Sequence, residues 1–178
     1  MENTEYLFER MLDKNEQEAY KYAVRLAKTG DRNVFDKAIE LLKGNDMEAA
    51  FLATQVLANM DNRQEALGSL LDAIHDHKNR HRNGALVASL EAFDLGEKFV
   101  DILRIYLFGN FKSSSLAKDY LDHTEFEVTP RVLRKAKKHW QHFKNNSNQD
   151  EAFEIKNAEV QEIFHDLDTL LGDEDTEP

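Results

Sequence analysis

Four times along this chain an Asn or Asp is followed eleven residues later by a leucine: Asn15 to Leu26, Asp46 to Leu57, Asn79 to Leu90 and Asn110 to Leu121. The first members stand at 15, 46, 79 and 110, so successive copies are offset by 31, 33 and 31 residues. A period in that range is the mark of a repeated supersecondary unit, too short to bury its apolar face alone and obliged to lean on the next copy. The residue types say which unit. An Asn or Asp oxygen accepts from the orphaned N–H groups of a helix's first turn, and a leucine eleven residues on lies three turns further in, on the packed face.

Thirteen residues beyond each of the first three leucines comes another aliphatic side chain, Ile39, Leu70 and Leu103, inside a second helix; in the fourth copy the position holds Arg134, with Leu133 one place away. The second helices are predicted to start at Asp31, Asp61, Asp94 and Thr129. Reciprocal capping pairs are expected for Asn15 with Glu18, Asp61 with Gln64 and Asp94 with Glu97. Thr129-Pro130 puts proline at the first helical position, where its missing N–H is harmless. Breaks such as Thr29-Gly30, Lys43-Gly44-Asn45 and Gly109-Asn110 are short enough to force consecutive helices antiparallel.

Apolar side chains keep the helical period. Phe35, Ala38, Ile39 and Leu42 form one stripe, Leu67, Leu70, Leu71 and Ile74 a second, Phe99, Ile102, Leu103 and Tyr106 a third. Residues 49–60 are apolar nearly all round, which predicts a helix sandwiched between neighbours. Proline occurs only at 130 and 178, and no alternating β-branched run reads as a strand, so the predicted class is all-α.

A helix pair of 31 to 33 residues, with Asp or Asn opening the second helix, a small residue seven on (Ala53, Ala117) and Leu eleven on, resembles a bacterial HEAT-like repeat over roughly residues 15 to 140. The resemblance implies a right-handed α-α superhelix of stacked antiparallel pairs, about four repeats with capping helices at the ends. The family's Arg ladder, four residues after the Asp, is replaced here by Ala19, Ala50, Asn83 and Ser114. The signatures of tetratricopeptide and ankyrin repeats are missing. The expected organisation is a helical-repeat domain over 1–146, an acidic amphipathic capping helix over 147–171 and a disordered acidic tail over 172–178. Tyr6, Leu7 and Met11 mark the N-terminal cap.

The formal charge of −11 is unevenly placed. From Ser147 to Pro178 there are eleven acids against one base, Lys156, so that segment holds −10 and the rest of the chain −1. Within it Ala152, Phe153, Val160, Ile163, Phe164, Leu167, Leu170 and Leu171 make an apolar stripe, with Glu151, Glu154, Glu162 and Asp166 off it. With no cysteine, disulfides and thiolate chemistry are excluded. No apolar run approaches the ~18 residues of a membrane span, and the opening residues lack a basic region followed by an apolar one. A cytoplasmic location is expected.

Two clusters carry charge of the other sign. Residues 131–144 hold six Lys or Arg and no acid; Val132, Leu133, Ala136, Trp140 and Phe143 share one helical face, and Arg131, Arg134, Lys135, Lys138 and His142 the other. This basic face is either a surface for phosphates or an acidic partner, with Arg131, Lys135 and Lys138 as contacts, or it meets the acidic helix that follows. The second alternative is favoured, since the acidic surplus lies immediately downstream. His75, His77 and His81 with Asp76 have the residue types of a Zn²⁺ or Ni²⁺ site, but their spacing matches no metal motif and Lys78, Arg80 and Arg82 repel a cation. The span reads instead as a solvated junction whose cations suit the preceding helix's C-terminal end. As an exposed multivalent loop it offers a partner contact at Arg80, His81 and Arg82.

No phosphate loop, nucleophile elbow, His-Glu-x-x-His or EF-hand sequence occurs, so no enzyme, cofactor or resident metal is expected. The expectation is a non-enzymatic adaptor or scaffold that grips a protein or peptide, as the resemblance implies. The alternatives are a nucleic-acid-binding or DNA-repair-like HEAT protein acting through 131–144, and an immunity or inhibitor protein acting through its acidic end.

Overall fold

The computed structural model describes residues 3–174, and among them are ten α-helices and no strand. The chain divides into two compact units, Met1–Asp94 and Leu95–Pro178.

In the first unit α1 (Thr4–Leu12) packs on α2 (Ala19–Lys28), and α3 (Arg32–Leu42) on α4 (Met47–Ala58). α5 (Leu67–His75) and the short α6 (Gly84–Ala88) complete it. Capping explains several boundaries. Asp31 accepts from Asn33 N at 2.9 Å and opens α3, and Asp46 accepts from Glu48 N at 3.0 Å and opens α4. Gly30, with φ of 62°, supplies the left-handed turn between α2 and α3 that a Cβ would disfavour. The expectation of a sandwiched helix holds for α4. It touches α2, α3 and α6, and Ala50, Leu52, Ala53, Thr54, Val56 and Leu57 are all buried. The Thr54 hydroxyl, without access to water, donates to Ala50 O at 2.8 Å.

Elsewhere the expected caps do other work. α2 begins at Ala19, and Asn15 sits in the preceding turn with its own N–H bound to Asp13 Oδ1 at 2.9 Å. Asp61 opens no helix. The Gln64 side chain instead pairs with the backbone of Asp94, donating to its oxygen at 2.8 Å and accepting from its N–H at 3.0 Å. α7 accordingly starts at Phe99, well after Asp94. Asn79 is buried and turned inward, donating to Ala73 O at 2.8 Å, while Asn83 donates to Ile74 O at 2.8 Å. Both amides cover last-turn carbonyls of α5, so the predicted long helix from 79 is reduced to 3₁₀ turns around the five residues of α6. Leu26, Leu57 and Leu90 are nonetheless fully buried, and Leu121 is half-buried. The period survives in the core leucines even where the caps do not follow it.

In the second unit α7 (Phe99–Phe108) packs on α8 (Phe111–His123) and on α9 (Pro130–Asn146), and α10 (Glu151–Glu174) lies against α9. At the α7–α8 joint a Cβ on Gly109 would stand 2.4 Å from Ile105 O, so glycine lets the chain turn tightly enough for Asn110 to cap α8 through Ser113 N at 3.0 Å. Thr129 caps α9 through Val132 N at 3.3 Å, with Pro130 at its first position as expected. The frayed tail expected from residue 172 begins inside α10, which continues to Glu174; residues 175–178 lie outside the described residues. Among the described residues, no helix is long and apolar enough to cross a membrane.

Candidate interaction face

α9 is amphipathic in the way its sequence predicts. Leu133, Ala136 and Trp140 are buried, Val132 and Phe143 half-buried, and this stripe is the side that meets α7 and α10. Trp140 stacks on Phe153 of α10, with centroids 6.0 Å apart and planes 14° from parallel, and on Phe143 at 5.8 Å. The other side carries Arg131, Arg134, Lys135 and Lys138, all exposed. Among the described residues none of the four has a carboxylate within ion-pair distance.

The expected match between this basic face and the acidic helix is therefore not what seats α10. Among the described residues, Lys137, at the edge between the two faces, is the one cation of α9 that reaches it, bonding Asp168 Oδ1 at 2.8 Å and Oδ2 at 2.7 Å. Glu151, Glu154, Glu162 and Asp166 are exposed on α10 and make no ion pair with a described residue. Magnitudes explain the outcome. Burying one large apolar side chain stabilises by about 1.5–3 kcal/mol, whereas an exposed ion pair contributes about 0–1 kcal/mol. Two adjoining amphipathic helices thus turn their apolar stripes together and leave their charges outside.

What fastens α10 besides apolar contact is the one base of the acidic segment. Lys156 Nζ donates to Tyr106 O at 2.8 Å, Leu107 O at 3.1 Å and Ser114 Oγ at 3.0 Å, covering carbonyls at the C-terminal end of α7. It also lies 5.2 Å from the Tyr106 ring centroid and 5.4 Å from that of Phe143. Burial pulls its pKa below the ordinary lysine value, against the nearby charges of Glu159 and Asp150. Glu159 accepts from the Tyr106 hydroxyl and stands 3.9 Å from Lys118. Burial first, then that hydrogen bond, raises the tyrosine's pKa. The sequence reading missed this cluster, although a solitary lysine in an otherwise acidic stretch was the available signal. Beside it, at the α9–α10 turn, an open recess of about 320 Å³ is lined by Phe143, Asp150, Phe153 and Lys156 among others. With all three donors of its ammonium engaged, Lys156 presents no free base there.

His139, half-buried between the two faces of α9, has its pKa lowered by burial and then by Arg104 and Lys135, with Asp101 opposing and His142 reinforcing. Its proton is held less firmly in the folded chain than in the unfolded one, so this group's contribution to stability falls as pH drops below the ordinary histidine value. Urea titrations at pH 7 and pH 5 should show a smaller acid-induced loss for His139→Gln than for the parent chain. Equal losses would mean that the lowered proton affinity of His139 does not contribute to the acid sensitivity.

The other predicted contacts belong to the first unit. Arg80, His81 and Arg82 are exposed in the turn between α5 and α6, flanked by the inward-facing Asn79 and Asn83. Their neighbour Lys78 is tied down, with Nζ 3.1 Å from Asn45 Oδ1 and 3.5 Å from Asp76 Oδ2. Among the described residues no three His, Asp or Glu side chains gather as a metal ion would need. The turn therefore holds three of the candidate residues, and one face of α9 the other three, Arg131, Lys135 and Lys138. No family model matches this chain, and neither a curated protein nor a solved structure does.

Proposed function

We propose that this chain is a non-enzymatic protein-binding module whose contact surface is the outer face of α9, receiving an acidic stretch of a partner protein. The observation that carries the reading is four exposed cations within two helical turns, Arg131, Arg134, Lys135 and Lys138, left without a carboxylate among the described residues while acids abound on the next helix. A protein fits better than a nucleic acid. Trp140, the only tryptophan, is buried in the apolar stack and offers no platform for a base, and a chain of net charge −11 repels a long polyanion. The first unit supports a HEAT-like manner of building such a module. α2 touches α4, α4 touches α6 and α3 touches α5, the alternate contacts that stacked helix pairs produce.

The test uses a labelled oligoglutamate peptide and a DNA duplex as probes of the two chemistries. The parent chain should bind the peptide, and reversing the four cations together (Arg131→Glu, Arg134→Glu, Lys135→Glu, Lys138→Glu) should weaken that binding at least about tenfold, since four exposed pairs contribute about 0.2–1 kcal/mol each. Arg82→Glu, in the first unit, serves as the control and should change it little. Peptide binding that ignores the α9 reversal would sink the reading. Tighter binding of the duplex, with a steep loss on adding salt, would replace it with a nucleic-acid surface.

A further inference from the structure

The second unit carries two charged faces, of opposite sign, on adjacent helices, neither with an ion pair among the described residues. On α9 they are Arg131, Arg134, Lys135 and Lys138, a stripe about 10 Å long at the helical rise. On α10 the residues Glu151, Glu154, Glu162 and Asp166 follow the same helical spacing over about 22 Å, with Ala158 between them, and all are exposed. This α10 face lies opposite the buried Phe153, Val160 and Phe164, so it cannot turn inward without undoing the packing. The remaining acids of the helix's flanks are already engaged, Glu159 with Tyr106 and Lys118, Asp168 with Lys137. On the acidic face, between Glu154 and Ala158, the apolar side chain of Ile155 stands 56% exposed.

We infer that the occupant of the α9 face is the acidic face of α10 from a second copy of this chain. The inference rests on the reading of α9 as an acid-binding face and adds the partner's identity. Each copy holds both halves of the contact but cannot join them within itself, because the two helices are held by their apolar stripes and by Lys156. Between copies the four cations meet the four carboxylates, and Ile155 is covered at the centre of the contact. Since every copy offers both faces, one chain satisfies another's α9 while its own α10 face remains available for the same match. The net charge of −11 repels copies at long range, so association depends on this local match and on nothing broader.

Charge exchange tests it. One variant reverses the α9 face (Arg131→Glu, Arg134→Glu, Lys135→Glu, Lys138→Glu), a second reverses the α10 face (Glu151→Lys, Glu154→Lys, Glu162→Lys, Asp166→Lys), and a third carries both sets. Sedimentation of the full chain at physiological salt, at concentrations up to about 200 µM, should show the parent associating and each single-face variant monomeric. The third variant alone, and an equimolar mixture of the first two, should associate again, since opposite signs meet once more. Ile155→Lys, at an exposed position, is a milder probe expected to weaken association at least about tenfold by placing a further cation against the four of the α9 face. A parent chain that stays monomeric overturns the inference, as does association that persists in both single-face variants. If that monomeric parent still binds oligoglutamate through α9, only the self-association is lost. If the peptide binding also ignores α9, the proposed function falls with it.

Discussion

Trp140→Ala should lower the stability of the second unit by about 3–5 kcal/mol, the range for truncating a large buried aromatic. The indole is 4% exposed and sits in the middle of a run of rings. Phe153 stacks on it at 6.0 Å and Phe143 at 5.8 Å, Phe143 and Phe153 lie 6.1 Å apart and within 16° of parallel, and Phe108 meets Phe143 edge-on at 5.6 Å. Removing the central ring leaves a void where α9 meets α10 and takes a packing partner from two others. Because this is the only tryptophan, the transition has to be followed by far-ultraviolet circular dichroism rather than by fluorescence. The expected sign is a lower urea midpoint, with Trp140→Phe recovering much of the loss. A loss below about 1 kcal/mol would mean that the stack lies at the periphery and that α10 is held by something else.

The apolar side of this arrangement was legible in the sequence because α9 is long and uninterrupted. Val132, Leu133, Ala136, Trp140 and Phe143 recur at helical spacing behind a Thr-Pro start, and the structure buries or half-buries all five. The lack of a polar face along residues 49–60 likewise identified α4 as a helix enclosed on several sides. Between residues 61 and 98 local pattern was a poorer guide. Gln64 reaches Asp94, Asn79 reaches Ala73 and Asn83 reaches Ile74, and each of those side chains is a plausible cap until its distant backbone partner is known. Polar residues that satisfy carbonyls elsewhere in the unit leave no trace at their own sequence position.

Charge misled for a related reason. A basic helix followed directly by an acidic one invites pairing within the chain, but sequence adjacency does not say which faces of two helices meet. Their apolar stripes, worth more per side chain than surface ion pairs, decide that first. The basic and acidic residues are consequently displayed, and the α9 face becomes a candidate contact because the nearest carboxylates are committed to another direction. The pair that does form between the two helices is at the edge, where Lys137 meets Asp168 at 2.8 Å.

Lys156→Met should be the most damaging single change to a charged residue of α10, costing about 2–4 kcal/mol, because it retains the apolar stem while deleting three donors at once. Tyr106 O and Leu107 O belong to the last turn of α7, where no further helical N–H follows to bond them. Without the ammonium Leu107 O stays close to α10 and loses that donor, Tyr106 O keeps only the Ser114 hydroxyl, and Glu159 loses the cation one turn away on its own helix. The loss should appear as a fall in melting temperature of roughly 5–15 °C for a chain of this length. Lys156→Arg, which keeps the charge but has to fit a planar fork against Ser114 and two carbonyls, should fall between the two. Glu151→Met, also on α10 but exposed and without an ion pair to a described residue, provides the comparison and should shift the melting temperature by no more than about 1–2 °C. If Lys156→Met and Glu151→Met prove equally mild, the lysine is not what fastens α10, and the buried stripe of Phe153, Val160 and Phe164 alone sets the direction of its acidic face.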